Sequence, residues 1–172
     1  FNPDTTQWLA IDAGNQAVPK TTITSLADGL ALIGRGRIAA LVGHLREGAG
    51  VVDIDVPGDF GNLLAAEVAD WLCRRDCWVL HRPSGGAMGR AHVFFARPDF
   101  RYAAASTRSG FAAEIGDFLA GLAEEVRVPR HELDLRDAVR PLSSPHRRGL
   151  STTPQGNLRE ALRDLKRVLP SK

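Results

Sequence analysis

The chain has 172 residues, of which 44% are hydrophobic and 24% charged, with 17 Gly and 10 Pro. That is about one domain of chain with a core of its own, and it excludes a disordered or low-complexity protein. Charged residues interrupt every apolar stretch before the ~18 residues a membrane-spanning helix needs, and no basic-then-apolar segment opens the chain, so neither a membrane span nor a secretory signal is expected. It begins at Phe1 rather than Met, which reads as a domain of something longer. Net charge is +2, but its distribution is uneven: from Arg127 onward there are 11 basic and five acidic residues. A basic last third behind an acidic front suggests a surface that faces phosphate.

In chain order, Thr24–Ile33 reads as a short helix capped by Thr24 or Ser25 and stopped by Gly34. Strands are expected at Ile38–Val42 and Val51–Val56, joined by a glycine-rich connection from Gly43 to Gly50. Gly61–Cys77 reads as a helix with Leu64, Val68, Trp71 and Leu72 on one face. Trp78–Arg82 and Ala91–Phe95 are expected strands around a Ser-Gly-Gly loop. Phe111–Val126 has the clearest helical period, in Phe111, Ile115, Phe118, Leu122 and Val126. Strands at Leu133–Leu135 and Val139–Leu142 are joined tightly, and Leu158, Leu162, Leu165 and Leu169 mark a last amphipathic helix. The order β-β-α-β-β-α-β-β-α predicts an α+β (α/β) domain with a mixed or antiparallel sheet flanked by helices. The expected organisation is a single domain over residues 1–155, with residues 156–172 as a helix that packs on it or leads onward.

Cys73 and Cys77, with His81 four residues further on, have a spacing that invites a zinc reading. Their apolar-patterned segment and the lack of a fourth ligand favour a structural one, and two cysteines form no disulfide framework. A reducing cytoplasm is the simplest compartment.

Three segments carry chemistry. In Val51-Val52-Asp53-Ile54-Asp55-Val56, residues two apart on a strand share a face about 6.6 Å apart, from ~3.3 Å per residue. Asp53 and Asp55 therefore point one way while Val52, Ile54 and Val56 point into the core. Two carboxylates side by side repel unless a cation joins them, and oxygen ligands suit Mg²⁺ or Mn²⁺. Pro57-Gly58 ends the strand where a ligand can reach. The second segment runs from Arg82 through Ser84-Gly85-Gly86 to Arg90-Ala91-His92. Its glycines let backbone N–H groups approach an anion, and Ser84, Arg90 and His92 add side-chain donors. The third is Leu133-Asp134-Leu135, followed by a loop dense in cations and hydroxyls from Arg140 through Ser143, Ser144, His146, Arg147 and Arg148. Such a loop suits a polyphosphate or a nucleic-acid backbone. Strand alternation puts Asp134 and Arg136 on one face and the leucines on the other, and leaves Asp137 to the turn.

In order and strand context these three segments resemble the archaeo-eukaryotic primase superfamily, in the prim-pol type of plasmid and phage replication proteins. That family has an hhhDhD motif, a small-x-His motif and an apolar-Asp motif, which match Val51–Asp55, Arg90-Ala91-His92 and Leu133-Asp134. The resemblance spans about Ile38 to Arg148 and departs from the family at Arg90, where a small residue is usual. It implies a catalytic core with an RRM-like half, and a template-dependent DNA polymerase or primase acting by nucleotidyl transfer. Asp53, Asp55 and Asp134 would hold two Mg²⁺ or Mn²⁺ ions. His92, with Ser84 or Arg90, would bind the incoming nucleotide, and Arg46, Arg140, His146 and Arg147 are further phosphate or template contacts, Arg140 before Arg147. Partners implied are a DNA template and primer, an NTP or dNTP, and a helicase or accessory domain, with no membrane, in the cytoplasm of a host cell. No zinc-binding stem is evident, so extension is expected of this chain rather than autonomous priming. Two other readings use the same residues: a metal-dependent nuclease, and a non-catalytic single-strand or origin DNA-binding module.

Overall fold

The computed structural model describes residues 8–19, 21–45, 47–85, 87–102, 110–141, 144, 146 and 147. The expected C-terminal helix and Arg46 lie outside them. The described residues form two compact units, one from those before residue 47 and after 137, the other from residues 47–137.

The first unit contains β1 (Leu9–Ile11), α1 (Leu26–Gly34), β2 (Ala40–His44) and, from the far end of the chain, β7 (Ala138–Val139). Its three strands are antiparallel in the order β1-β2-β7. Helix α1 starts where the sequence predicts. Ser25 Oγ accepts the Asp28 backbone N–H at 3.1 Å, and the Asp28 carboxylate accepts from the Thr24 and Ser25 hydroxyls at 2.7 and 2.8 Å. Those two hydroxyls hold the Asp28 carboxyl below its ordinary pKa. Ala10, Ile23, Ile38 and Leu41 form the unit's small core.

The second unit runs β3 (Ala49–Ile54), α2 (Gly58–Cys73), β4 (Trp78–Pro83), β5 (Ala91–Ala96), α3 (Phe111–Val126), a 3₁₀ turn (Arg130–Glu132) and β6 (Leu133–Arg136). All its strand pairs are antiparallel, in the order β4-β5-β3-β6. A β-α-β-β-α-β chain with its first strand between the third and the fourth is the split β-α-β, ferredoxin-like arrangement. One face of the sheet packs on the helices: Val52, Ile54, Val93, Phe95, Leu133 and Leu135 meet Leu64, Val68, Leu72, Ile115, Leu119 and Leu122 in one core. That leaves the opposite face to the alternate residues, where a buried apolar row, Leu80, Phe94 and Val51, lies beside a polar one.

The fold class is the expected one, α+β with antiparallel sheets and flanking helices. Several boundaries differ. Gly43 and Gly50 are strand residues, because aromatic rings lie where their side chains would be, Trp8 over Gly43 and Phe95 with Phe100 over Gly50. Helix α2 is shifted one turn toward the N-terminus. Pro57-Gly58 opens it as well as ending β3, and it stops at Cys73, where Asp76 turns left-handed (φ 58°) and the Cys77 N–H folds back onto Leu72 O at 3.2 Å. Cys77 is thus outside the helix and buried in the core. Of the strand expected at Val139–Leu142, the described residues form Ala138–Val139, with Arg140 and Pro141 outside it, and this strand pairs with β2. Strand β1 and the 3₁₀ turn were not expected. No helix among the described residues is long and apolar enough to cross a membrane.

Candidate functional site

Antiparallel register sets the polar face of the second unit's sheet. Arg82 on β4 stands opposite His92 on β5, His92 opposite Asp53 on β3, and Asp53 opposite Asp134 on β6. Residues directly opposite across antiparallel strands project to the same face with side chains in reach of one another. One row across four strands therefore reads Arg82–His92–Asp53–Asp134.

The row is linked by contacts. Arg82 Nη2 lies 2.6 Å from His92 Nδ1, and His92 Nε2 lies 3.3 Å from Asp53 Oδ1. The other oxygen of Asp53 is 3.0 Å from Arg136 Nε, which is also 3.7 Å from Asp134 Oδ2. The depth of the row is graded. Arg82 is fully buried, the side chains of His92 and Asp53 are 13% and 15% exposed, and that of Asp134 is 39% exposed. Burial pushes the Asp53 carboxyl up, but the hydrogen bond from His92 and the charges of Arg136 and Arg90 outweigh it and leave its pKa below the ordinary value.

A second row follows one step along the strands. The Asp55 N–H continues the β3–β6 ladder by one bond, to Glu132 O at 2.8 Å, although β3 ends at Ile54. Arg90 Nη1 lies 3.6 Å from Asp55 Oδ1, and the Ser84 N–H donates to Arg90 O at 2.8 Å. The connection from β4 to β5 is pinned against the start of α2. The Gly58 N–H donates to Met88 O, and a Cβ on Gly89 (φ +92°) would strike the Gly58 backbone. Gly89 thus serves close backbone packing, which fixes where Ser84 and Arg90 stand.

Of the residues expected at the site, Asp53, Asp55, Asp134, His92, Arg90 and Ser84 all fall in these two rows. Asp137 lies between β6 and β7, outside both strands. Arg140 and Arg147 belong to the first unit. Arg140 follows β7 rather than lying on it; its buried guanidinium donates to Ser144 O, and burial lowers its pKa. Arg148 lies outside the described residues. Cys73 is exposed and Cys77 buried, the latter with its thiol pushed by burial to a pKa of about 12. Sequence reasoning missed Arg82 and Arg136 as site residues. The signal for Arg82 was its position in the β4–β5 hairpin, which needs the pairing register to be read.

The chemistry of the carboxylates suits a hard divalent cation. The guanidinium of Arg136 already stands as a cation between Asp53 and Asp134, so the pair fits a positive ion at that place. As the side chains stand, no three His, Cys, Asp or Glu groups among the described residues converge as a ready metal cluster. No family model matches this chain, and no characterised protein or solved structure matches it.

Proposed function

We propose that this chain is a nucleotidyl transferase, a template-dependent DNA polymerase or primase of a replication protein that works with two Mg²⁺ or Mn²⁺ ions. The observation that carries this reading is the row Arg82–His92–Asp53–Asp134. Three motifs distant in sequence, which together resemble the prim-pol type of primase, meet on three adjacent strands of one sheet. Asp53, Asp55 and Asp134 are the residues that would hold the ions. When bound, the metals would supply a lowered pKa at the primer 3′-hydroxyl and charge stabilisation for the leaving pyrophosphate.

The rest is the work of the chain's own side chains. His92 and Arg90 offer N–H donors beside the acidic row, where a triphosphate needs them, and Ser84 stands at the neck of the same loop. Pinning of that loop to α2 keeps these donors in place, so catalysis is mostly positioning and preorganised charge. Arg140, His146, Arg147 and Arg46, the last outside the described residues, remain candidates for template or phosphate contacts. DNA, a nucleotide and a helicase or accessory domain are the partners of this reading, and its reducing compartment is the cytoplasm, in keeping with two free thiols.

The test is a primed template incubated with the protein, nucleotides and Mg²⁺ or Mn²⁺. Primers lengthen and EDTA stops them, and Asp53→Asn is inactive. Primers that shorten instead, under either metal, support a nuclease. Retention of the DNA with neither change supports a binding module.

A further inference from the structure

We propose that Arg82 is a positioning residue that fixes His92 as the neutral imidazole carrying its proton on Nε2, so that His92 is a fixed hydrogen-bond donor at the site rather than a metal ligand or a general base. The geometry stands apart from the proposed reaction; only the identity of the anion served, a nucleotide phosphate, rests on that reading.

Arg82 is fully buried near the C-terminal end of β4, with its guanidinium 4.9 Å over the Phe94 ring and Nη2 2.6 Å from His92 Nδ1. A guanidinium has only donors, and it keeps its proton inside proteins. A contact of 2.6 Å between Arg82 and Nδ1 therefore needs a lone pair on Nδ1, because an N–H there would face another N–H. A neutral imidazole with an acceptor at Nδ1 carries its single proton at Nε2. Nε2 faces Asp53 Oδ1 at 3.3 Å, and a carboxylate accepts. The two contacts thus agree on one tautomer: Arg82 donates to His92, and His92 donates to Asp53.

Both ring nitrogens are then committed. Nδ1 is taken by Arg82 and Nε2 carries hydrogen, so neither offers the lone pair that a metal or an abstracted proton requires. What remains is a donor aimed along the acidic row. Were a cation to draw on the charge of Asp53, the same fixed Nε2–H would be shared with an anionic oxygen placed beside that carboxylate. Sequence motifs alone do not distinguish these roles for a histidine. The buried arginine opposite it does.

The test reads the tautomer directly. Protein labelled with ¹⁵N at histidine is examined at neutral pH through two-bond correlations within the imidazole rings, and the His92 signals among the five histidines are assigned by their loss in His92→Gln. The expected wild-type pattern is a protonated Nε2 and an unprotonated Nδ1. Arg82→Met loses this preference and gives mixed or Nδ1-protonated signals, while Arg82→Lys, which retains a donor-only head group, keeps it. Binding of dATP with Mn²⁺ weakens about fivefold in Arg82→Met, in line with one misdirected neutral hydrogen bond. A wild-type His92 protonated on Nδ1 or on both nitrogens overturns the proposal, and so does an Arg82→Met spectrum like that of the wild type. Should Arg82→Met fail to fold, the wild-type spectrum and that of Arg82→Lys decide. If dATP does not bind the wild type, the polymerase reading fails while the spectra still decide the tautomer.

Discussion

Asp53 is held by His92 on one carboxylate oxygen and by Arg136 on the other, and this environment gives it a pH signature. Its carboxyl sits below the ordinary range when folded, against about 3.9 in an unfolded chain. The stabilisation linked to that shift is therefore full above about pH 4 and is lost as pH falls through the lower folded value. Thermal unfolding followed from about pH 5 to about pH 2 should show Asp53→Asn losing less stability than the wild type over this window; parallel curves would show that the carboxylate gains nothing from its neighbours. Arg136 gives the second prediction. Its guanidinium is the cation between Asp53 and Asp134, so Arg136→Gln leaves two carboxylates facing each other across neighbouring strands. The cost is about 1 kcal/mol or less in metal-free protein, since Arg136 is half exposed. Added Mn²⁺ should then raise the Tm of Arg136→Gln by more than it raises that of the wild type. An equal rise in both proteins contradicts Arg136 standing where a metal binds.

At the scale of elements, the polar face depends on register and on one close approach. Gly89 lies at φ +92° against the Gly58 backbone, so Gly89→Ala adds both left-handed strain and a clash with main chain. The expected cost is about 1–3 kcal/mol, with weaker nucleotide binding because Ser84 and Arg90 move with the loop; an unchanged Tm would place the loop elsewhere. Much of this scale was legible in the sequence. The period of Phe111–Val126 marked α3 to the residue, and alternation around Asp53 and around Asp134 identified both which face is apolar and which carboxylates share the other. Less legible was whatever depends on partners distant in sequence. Gly43 and Gly50 look like turn glycines until Trp8 and Phe95 are seen to lie on them. The end of α2 was missed because Asp76, rather than a glycine, takes the left-handed turn. A three-residue strand such as β1 is too short to show a period, and β7 is shorter still.

For the whole molecule, the order of strands decides what local reading could not. Placing β3 in the sheet between β5 and β6 brings His92, Asp53 and Asp134 into one row, although two α-helices and strand β4 lie between Asp53 and Asp134 in the chain. The same long-range pairing is why Arg82 opens one of the chemical segments yet was not picked as a site residue: its meaning comes from the strand beside it. The two compact units divide the expected phosphate contacts, with Arg140 and Arg147 in the first and the acidic row in the second. The central claim is that this row performs metal-dependent nucleotidyl transfer, and the carboxylate pair Asp134 and Asp137 tests it within one short segment. Asp134 faces Asp53 across paired strands, whereas Asp137 lies outside both strands. The measurement is primer extension with Mn²⁺ by the wild type, Asp134→Asn and Asp137→Asn, with thermal stability checked to lie within about 1 kcal/mol for all three. The wild type and Asp137→Asn are expected to lengthen the primer, and Asp134→Asn is not. Extension by Asp134→Asn at the wild-type rate, or no extension by the wild type with any nucleotide, would contradict the central claim.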